Sequence, residues 1–164
     1  MPTVTLHTTL GAITLELYDQ HSVHGVETFL NQVKRGTYDN TIFHRIVPQF
    51  LIQGGDPTGT GKGGAITPLS PNSNTKGYYQ INTDLKHSGA GIVSMAQSDT
   101  KNRINNTQFF ITLAPSPWLD TKHHIIGRVA QGMRVVERLA HAGADVGILR
   151  AVENDDDDDD DIVT

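Results

Sequence analysis

Three things are scarce in this 164-residue sequence: cysteine, long apolar runs and clustered positive charge. Cysteine is absent, which excludes a disulfide framework, a thiol nucleophile and thiolate metal ligands. No stretch approaches 18 uninterrupted apolar residues, and the chain does not open on a basic region followed by an apolar run. We therefore expect a soluble, unsecreted protein of the cytoplasm, the nucleus or both, with no membrane contact.

The net charge of -5 is distributed unevenly. Residues 153–164 hold eight of the 18 acidic residues, so residues 1–152 keep ten acids against 13 lysines and arginines. Such a tail repels itself and buries little apolar surface, so we predict that it is disordered. It serves either as a solubility tail or as a docking segment for a basic partner. The positive charges of the body are scattered, which argues against direct nucleic-acid binding.

The start of the chain predicts a β-hairpin followed by a helix. Apolar and polar residues alternate over Val4–Leu6 and again over Ile13–Leu17, as in a hairpin with one buried face. From Ser22, a suitable N-cap, the apolar residues recur at helical spacing until Gly36. Gly25 should weaken this helix by about 1 kcal/mol relative to alanine.

Short strand-like segments dominate the rest of the chain. They cover residues 41–46, 50–53, 91–96, 108–113, 125–129 and 147–152, and a second helix is predicted over 133–141. Several strands with glycine and proline between them predict a β-barrel or sandwich capped by helices. We predict one domain over residues 1–152, which is large enough to bury about two thirds of the surface of the unfolded chain.

The segment GTGKGG, residues 59–64, resembles nucleotide-binding motifs but lacks their context. A P-loop needs glycine where Asp56 stands, and a dinucleotide fingerprint must open a helix, whereas two prolines follow within the next ten residues. The segment is better interpreted as a cluster of turns that lets the backbone pass close to another group.

Other combinations of reactive residues also lack a supporting pattern. The pairs His21/His24 and His123/His124 have no carboxylates at ligand spacing, so we predict no metal site. The composition permits a Ser/His/Asp triad, but the sequence contains no G-x-S-x-G nucleophile elbow.

The stretch FHRIVPQFLIQGGD, residues 43–56, places two polar side chains in an apolar run. They are Arg45 and Gln53, and a buried guanidinium would be costly without a partner. Arg45 is either a functional residue or a partly exposed arginine in a surface ion pair. Phe43, Phe109 and Ile111, with Val129, are better interpreted as core.

Four blocks, in order, resemble the cyclophilins: FHRIVPQFLIQGGDPTGTGKGG (43–64), SGAGIVSMA (88–96), QFFITLAP (108–115) and WLDTKHHIIGRV (118–129). The first block is most similar to the small single-domain cyclophilins associated with spliceosomes. The resemblance implies a mainly β fold, a closed eight-stranded antiparallel barrel capped by two α-helices. It also implies a monomeric peptidyl-prolyl cis-trans isomerase that acts without cofactor or metal.

The resemblance assigns a groove on the outer face of the barrel. Catalytic positions of the family fall on Arg45, Phe50, Gln53, Phe110, Trp118, Leu119 and His123. Substrate-binding positions fall on Leu51, Gly61, Ala96, Gln97, Ser98 and Gln108. His123 is expected to be a wall of the pocket and not a general base, because rotation about a peptide bond moves no proton.

The sequence departs from the family at several of these positions. Leu51 replaces the usual methionine, an exchange that nearly conserves volume and should keep the pocket. Gln97 and Ser98 replace the usual Asn-Ala, and the loops over 65–83 and 97–107 are altered, which affects peptide preference more than chemistry.

Two functions follow from the resemblance. The first is isomerisation of X-Pro bonds in proline-containing peptides and proteins, assisting folding or the remodelling of assemblies, with cyclosporin as an expected ligand. The alternative is a proline-peptide binding module of a spliceosomal ribonucleoprotein, with a spliceosomal protein as partner and catalysis incidental.

Overall fold

The computed structural model describes residues 1–63, 82–97, 104–120, 122–143 and 145–155, with the backbone alone described at 97 and 104–106. These residues form two helices, α1 (Val23–Arg35) and α2 (Met133–Ala142), and a 3-10 turn η1 (Pro117–Leu119). Nine strands accompany them: β1 (Thr3–Thr8), β2 (Gly11–Leu17), β3 (Thr41–Ile42), β4 (Arg45–Val47), β5 (Leu51–Gly54), β6 (Ile92–Gln97), β7 (Ile104–Thr112), β8 (Ile125–Gln131) and β9 (Gly147–Glu153).

The strands build a single antiparallel sheet in the order β3-β9-β1-β2-β8-β6-β7-β5-β4. The mainly β class and the two predicted helices are confirmed, but the closed eight-stranded barrel is not. The segment predicted as one strand over 41–46 is interrupted at Phe43 and His44. Its first part pairs with β9 and its second part with β5. The described sheet therefore has nine strands, and its two edge strands, β3 and β4, follow each other directly in the chain.

The concave face of the sheet carries the main core. Period-two alternation places apolar residues of β1 and β2 in it with no exposed surface: Val4, Leu6, Ile13, Leu15 and Leu17. Helix α1 adds Phe29, whose ring packs against those of Tyr38 and Phe109 at centroid distances of 5.2 and 5.5 Å. The prediction that Phe43, Phe109 and Ile111 are core residues is confirmed, and Val129 packs on the same core while partly buried.

The N-terminal end of helix α1 contacts β8 through the N-cap residue Ser22 and through Gly25. Ser22 is the N-cap residue, as predicted, but its hydroxyl donates to the carbonyl of Ile125 and makes no cap bond to its own helix. A Cβ on Gly25 would lie 2.9 Å from Cγ2 of the fully buried Ile126. Gly25 is therefore required by the close approach of helix and sheet, a constraint that helix propensity does not register.

The C-terminal end of the described chain continues past the predicted domain boundary at residue 152. Strand β9 ends at Glu153, and the Asn154 amide donates to the hydroxyls of Thr3 and Thr5. Residues 156–164, most of the predicted disordered tail, lie outside the described residues, so the disorder stays a prediction. Neither described helix is long and apolar enough to cross a bilayer.

We expect Gly25→Ala to destabilise the protein. Helix propensity alone predicts a gain of about 1 kcal/mol, whereas overpacking against Ile126 costs about 1–3 kcal/mol. Urea unfolding at equilibrium should show a lower midpoint for this variant. Asn31→Ala, an exposed position of the same helix, is the control and should be neutral or stabilising. A midpoint for Gly25→Ala above that of the wild type would contradict the packing argument.

Candidate active site

A second, smaller apolar cluster lies on the convex face of the sheet. We call it the outer cluster: Leu51, Phe110 and Leu119 are buried in it, and Val47 and Phe50 pack against it. Strand alternation separates it from the main core, because Ile52 and Phe109 point inward while their neighbours Leu51 and Phe110 point outward. One pair of strands thus builds both the core and an outward-facing apolar cluster.

Strand register aligns three predicted site residues in one row. Arg45 of β4 is paired with Gln53 of β5, and Gln53 is paired in turn with Phe110 of β7. Side chains directly opposite each other in an antiparallel pair lie about 4.5–5.5 Å apart at Cβ. The Arg45 Nη1 donates to Gln53 Oε1 at 3.5 Å, a long contact on an exposed surface. The partner of Arg45 among the described residues is thus the amide of Gln53, and the expected alternative of a surface ion pair is not what the structure shows.

Amide groups continue this row towards the loop that follows β5. The Gln53 Nε2 donates to Gln108 Oε1 at 2.9 Å. The Gln108 Nε2 donates to the carbonyls of Gly61 and Gly63 at 3.0 and 2.8 Å. Gln108 is 2% exposed, so these bonds satisfy a buried amide. The chain of contacts fixes the Gln53 side chain, and through it the Arg45 guanidinium, relative to the loop.

Asp56 organises that loop from a fully buried position. One carboxylate oxygen accepts from the backbone and hydroxyl of Thr58, and the other accepts from the backbone N–H groups of Gly61 and Gly63, at 2.6–3.0 Å. Burial alone would raise the pKa of Asp56, but these hydrogen bonds outweigh it and hold the pKa below its ordinary value. The backbone of Gly61, at φ +82°, is a turn that only glycine adopts easily.

The turn η1 contributes the far wall of the pocket. Leu119 points into the outer cluster, while Trp118 is 59% exposed. The Trp118 ring leans on the ring of Phe50 at a centroid distance of 5.7 Å and an angle of 47°. An exposed indole over an apolar pocket presents both a flat apolar surface and an N–H donor to a ligand.

His123 borders the Phe110 ring edge-on, with centroids 5.0 Å apart and an interplanar angle of 88°. Its Nδ1 lies 3.2 Å from the carbonyl of Met95. Burial lowers the pKa of His123, and the carbonyl only partly offsets this. A neutral ring whose Nδ1–H donates to Met95 fits a wall of the pocket.

The remaining predicted positions lie at or beyond the end of β6. Ala96 is buried, and the backbone of Gln97 pairs with Ile104 across a bulge. Ser98 lies outside the described residues. Among the described residues, the structure brings together the outer cluster, the row from Arg45 to Gln108, Gly61, Trp118 and His123.

The sequence interpretation missed the part played by Asp56, which it used only to reject a P-loop. The signal was present: Asp-Pro-Thr-Gly is a turn sequence in which the carboxylate bonds to the backbone two residues later, as it does at Thr58. The sequence interpretation also assigned no role to His87 or Asp120, because no local sequence pattern distinguishes them.

Comparison with known proteins gives the family. Residues 3–161 match the model of the cyclophilin type peptidyl-prolyl cis-trans isomerase family. The chain belongs to this family, whose members isomerise X-Pro peptide bonds without a cofactor.

Individual relatives agree in name and in fold. The chain is 51% identical over 136 residues to "Peptidyl-prolyl cis-trans isomerase-like 1" of Emericella nidulans, covering 83% of this chain and 80% of the relative. It is 51% identical over 144 residues to an Arabidopsis thaliana isomerase named CYP18-2, covering 88% and 84%. A Cryptosporidium parvum cyclophilin solved in the presence of the dipeptide Ala-Pro superimposes with a TM-score of 0.78 at 31% identity, covering 94% and 99%.

We expect Asp56→Ala to destabilise the protein by about 2–4 kcal/mol, because it removes the four hydrogen bonds by which a buried carboxylate holds the loop. The effect depends on pH. Since the pKa of Asp56 is lowered in the folded state, its contribution is present above about pH 4 and is lost as the pH falls through the folded-state value. Urea unfolding of both proteins between pH 2 and 7 measures this.

Thr60→Ala is the control, because the Thr60 hydroxyl is exposed and bonds only within the same loop. It should lower stability by less than about 1 kcal/mol. A constant difference in stability between wild type and Asp56→Ala across that pH range would show that the carboxylate charge is not what holds the loop.

Proposed function

We propose that isomerisation takes place over the outer cluster, with Arg45 as the principal catalytic group and the row from Gln53 to Gly61 as its support. One observation carries this proposal: the exposed Arg45 guanidinium lies in the same cross-strand row of residues as Phe110, which belongs to the outer cluster.

The reaction requires no covalent step. A peptide bond resists rotation by about 18–20 kcal/mol, because the nitrogen lone pair is delocalised into the carbonyl. Catalysis therefore requires only that the twisted amide is bound better than either planar form. In the twisted state the prolyl nitrogen recovers its lone pair and becomes a hydrogen-bond acceptor, which it is not in the planar amide.

Arg45 is suited to recognise that acceptor. A donor aimed at the prolyl nitrogen stabilises the transition state and leaves the ground state unaffected. A hydrogen bond to a charged group is worth about 1.5–3 kcal/mol, or about ten- to a hundredfold in rate. Arg45 therefore supplies part of the acceleration, and the shape of the pocket supplies the remainder by holding the ring while the preceding carbonyl turns.

The outer cluster and the His123 ring are assigned to the prolyl ring. Leu51 and Phe110 are 3% and 2% exposed, so they form the floor, and Leu119 with Phe50 forms the sides. Gln53 orients Arg45, and the Trp118 indole donates to a peptide carbonyl at the rim. Gly61, Ala96, Gln97, Ser98 and Gln108 are assigned to the flanking peptide backbone.

Proline-containing peptides are the substrate class. The family acts on them, and the Cryptosporidium parvum relative was crystallised with Ala-Pro. The relatives' names refer to isomerase activity and contain no ribonucleoprotein term, so the scaffold alternative gains no support from them.

We expect Arg45→Ala to lower kcat/KM by about ten- to a hundredfold while keeping most of the peptide affinity, because the bond forms only in the twisted state. NMR exchange spectroscopy on an Ala-Pro peptide measures the rate, and titration of the same peptide measures affinity. Arg45→Lys, which keeps the charge but not the planar fork, should recover only a fraction of the activity.

The same experiment separates the two functions. If the wild-type chain binds the peptide without accelerating its exchange, the protein is a binding module. If Arg45→Ala keeps the wild-type kcat/KM, the role assigned to the guanidinium is wrong.

We also expect cyclosporin to bind over the outer cluster, with Trp118 at its border. Trp118 is the only tryptophan in the sequence, so its fluorescence reports this site alone. Titration should change the emission of the wild type and abolish isomerase activity in parallel. A saturating change in emission with undiminished activity would show that a ligand bound beside Trp118 does not occupy the isomerase groove, and no change in emission would place the ligand elsewhere.

A further inference from the structure

A buried hydrogen-bonded set lies directly behind the proposed groove. His87 Nδ1 is 2.8 Å from a carboxylate oxygen of Asp120, and His87 Nε2 is 2.7 Å from the hydroxyl of Ser94. His87 and Ser94 have no exposed surface, and the Asp120 side chain is 16% exposed. The set has the Ser/His/Asp composition of a catalytic triad, although the sequence contains no G-x-S-x-G nucleophile elbow.

The protonation states follow from the surroundings. Burial would raise the pKa of Asp120, but hydrogen bonds from the backbone and ring of His87 outweigh it and lower the pKa, so the group is a carboxylate. Burial lowers the pKa of His87 although Asp120 opposes this, so the ring is neutral. Nδ1–H therefore donates to Asp120, and Nε2 accepts from the Ser94 hydroxyl.

This set is not a site of nucleophilic catalysis. A serine nucleophile must meet a carbonyl carbon at about 3 Å, and Ser94 has no surface that a substrate can reach. The bonds instead connect separate parts of the fold: Ser94 belongs to β6, His87 precedes that strand, and Asp120 directly follows η1. The role of these bonds is therefore to hold a segment of the fold in place.

They hold the turn that carries Trp118 and Leu119. At one end of this turn, the Asp120 carboxylate accepts from the backbone N–H of His87 at 2.7 Å as well as from its ring. At the other end, the carbonyl of His87 accepts from the backbone N–H of Ser116 at 2.9 Å. His87 therefore fastens both ends of residues 116–120, and the three residues of η1 lie between.

The same imidazole also supports the floor of the groove. Its ring lies nearly parallel to that of Phe110, at a centroid distance of 6.2 Å and an angle of 19°. Phe110 thus lies between His87 behind it and His123 at its edge. A side chain held by two polar partners, Asp120 and Ser94, is a stiffer support than an apolar one that can change rotamer.

From these contacts we propose that Asp120, acting through His87, is a positioning residue for the isomerase groove: it fixes η1, and so sets where Trp118 and Leu119 stand over the outer cluster. The proposal rests on the groove assigned above. Trp118 and Leu119 contact the planar substrate and the twisted substrate alike. Loosening η1 therefore weakens binding of both states equally, which raises KM more than it lowers kcat.

The test is Asp120→Ala with Asp120→Asn as its matched partner. Asp120→Ala removes both bonds to His87, and we expect a KM for an Ala-Pro peptide about tenfold above wild type and a kcat changed less than about threefold. Trp118 emission in the unliganded protein should shift as well. Asp120→Asn keeps an oxygen that accepts from His87, so it should restore most of the affinity and the wild-type emission.

Val4→Ala controls for lost stability. Val4 is buried in β1, away from the strands that build the groove, so this variant should unfold more easily with KM and Trp118 emission unchanged. If Asp120→Ala does not fold, Asp120→Glu serves in its place, because it keeps the charge but displaces the carboxylate by one methylene, and the same rise in KM is expected.

Two results would overturn the proposal: a wild-type KM and emission in Asp120→Ala (or in its replacement Asp120→Glu), or an Asp120→Asn protein as impaired as Asp120→Ala. The wild-type chain in the same assay reports on the groove itself. If it lacked turnover, the assigned function would fail, whereas Trp118 emission would still decide whether Asp120 positions η1.

Discussion

The period of two in an extended strand is the constraint on which this molecule depends. Strand β5 buries Ile52 in the main core, while its neighbours Leu51 and Gln53 face the other side. Strand β7 does the same with Phe109 and Phe110. The rigid interior and the proposed substrate groove are therefore two faces of the same strands. A one-residue slip in register would exchange them, so every residue that fixes register also fixes the site.

Most elements could be predicted because their determinants are local. Alternation marked the strands, helical spacing marked both helices, and the elements observed match them to within a few residues at most ends. The strand count was wrong because the 41–46 segment looks continuous by composition. Its interruption at Phe43 and His44 depends on two partners, β9 and β5, that lie far away in sequence. Gly25 is a similar case, since only the neighbouring Ile126 shows that a side chain has no room there.

The site was predictable to the extent that its residues lie in continuous blocks. Arg45, Gln53, Phe110 and Trp118 fall within blocks that resemble a known family, and the structure gathers them. Residues that hold other residues in place were harder to predict from the sequence. Asp56 bonds within its own loop and is marked by a turn sequence, whereas His87 is held by Asp120, 33 residues further on. A polar residue that is satisfied over such a distance looks, in sequence, like any other loop residue.

The pairing of β1 with β9 has a consequence for how the chain is made. Strand β1 lies between β2 and β9, so its second partner is synthesised about 140 residues after it, at the far end of the chain. Closing so long a loop is an entropic cost that must be met before the pairing stabilises anything. During translation the β1–β2 hairpin emerges with both edges unpaired, because β2 awaits β8 and β1 awaits β9. The free edge of β1 thus stays open to a competing strand until β9 has been synthesised.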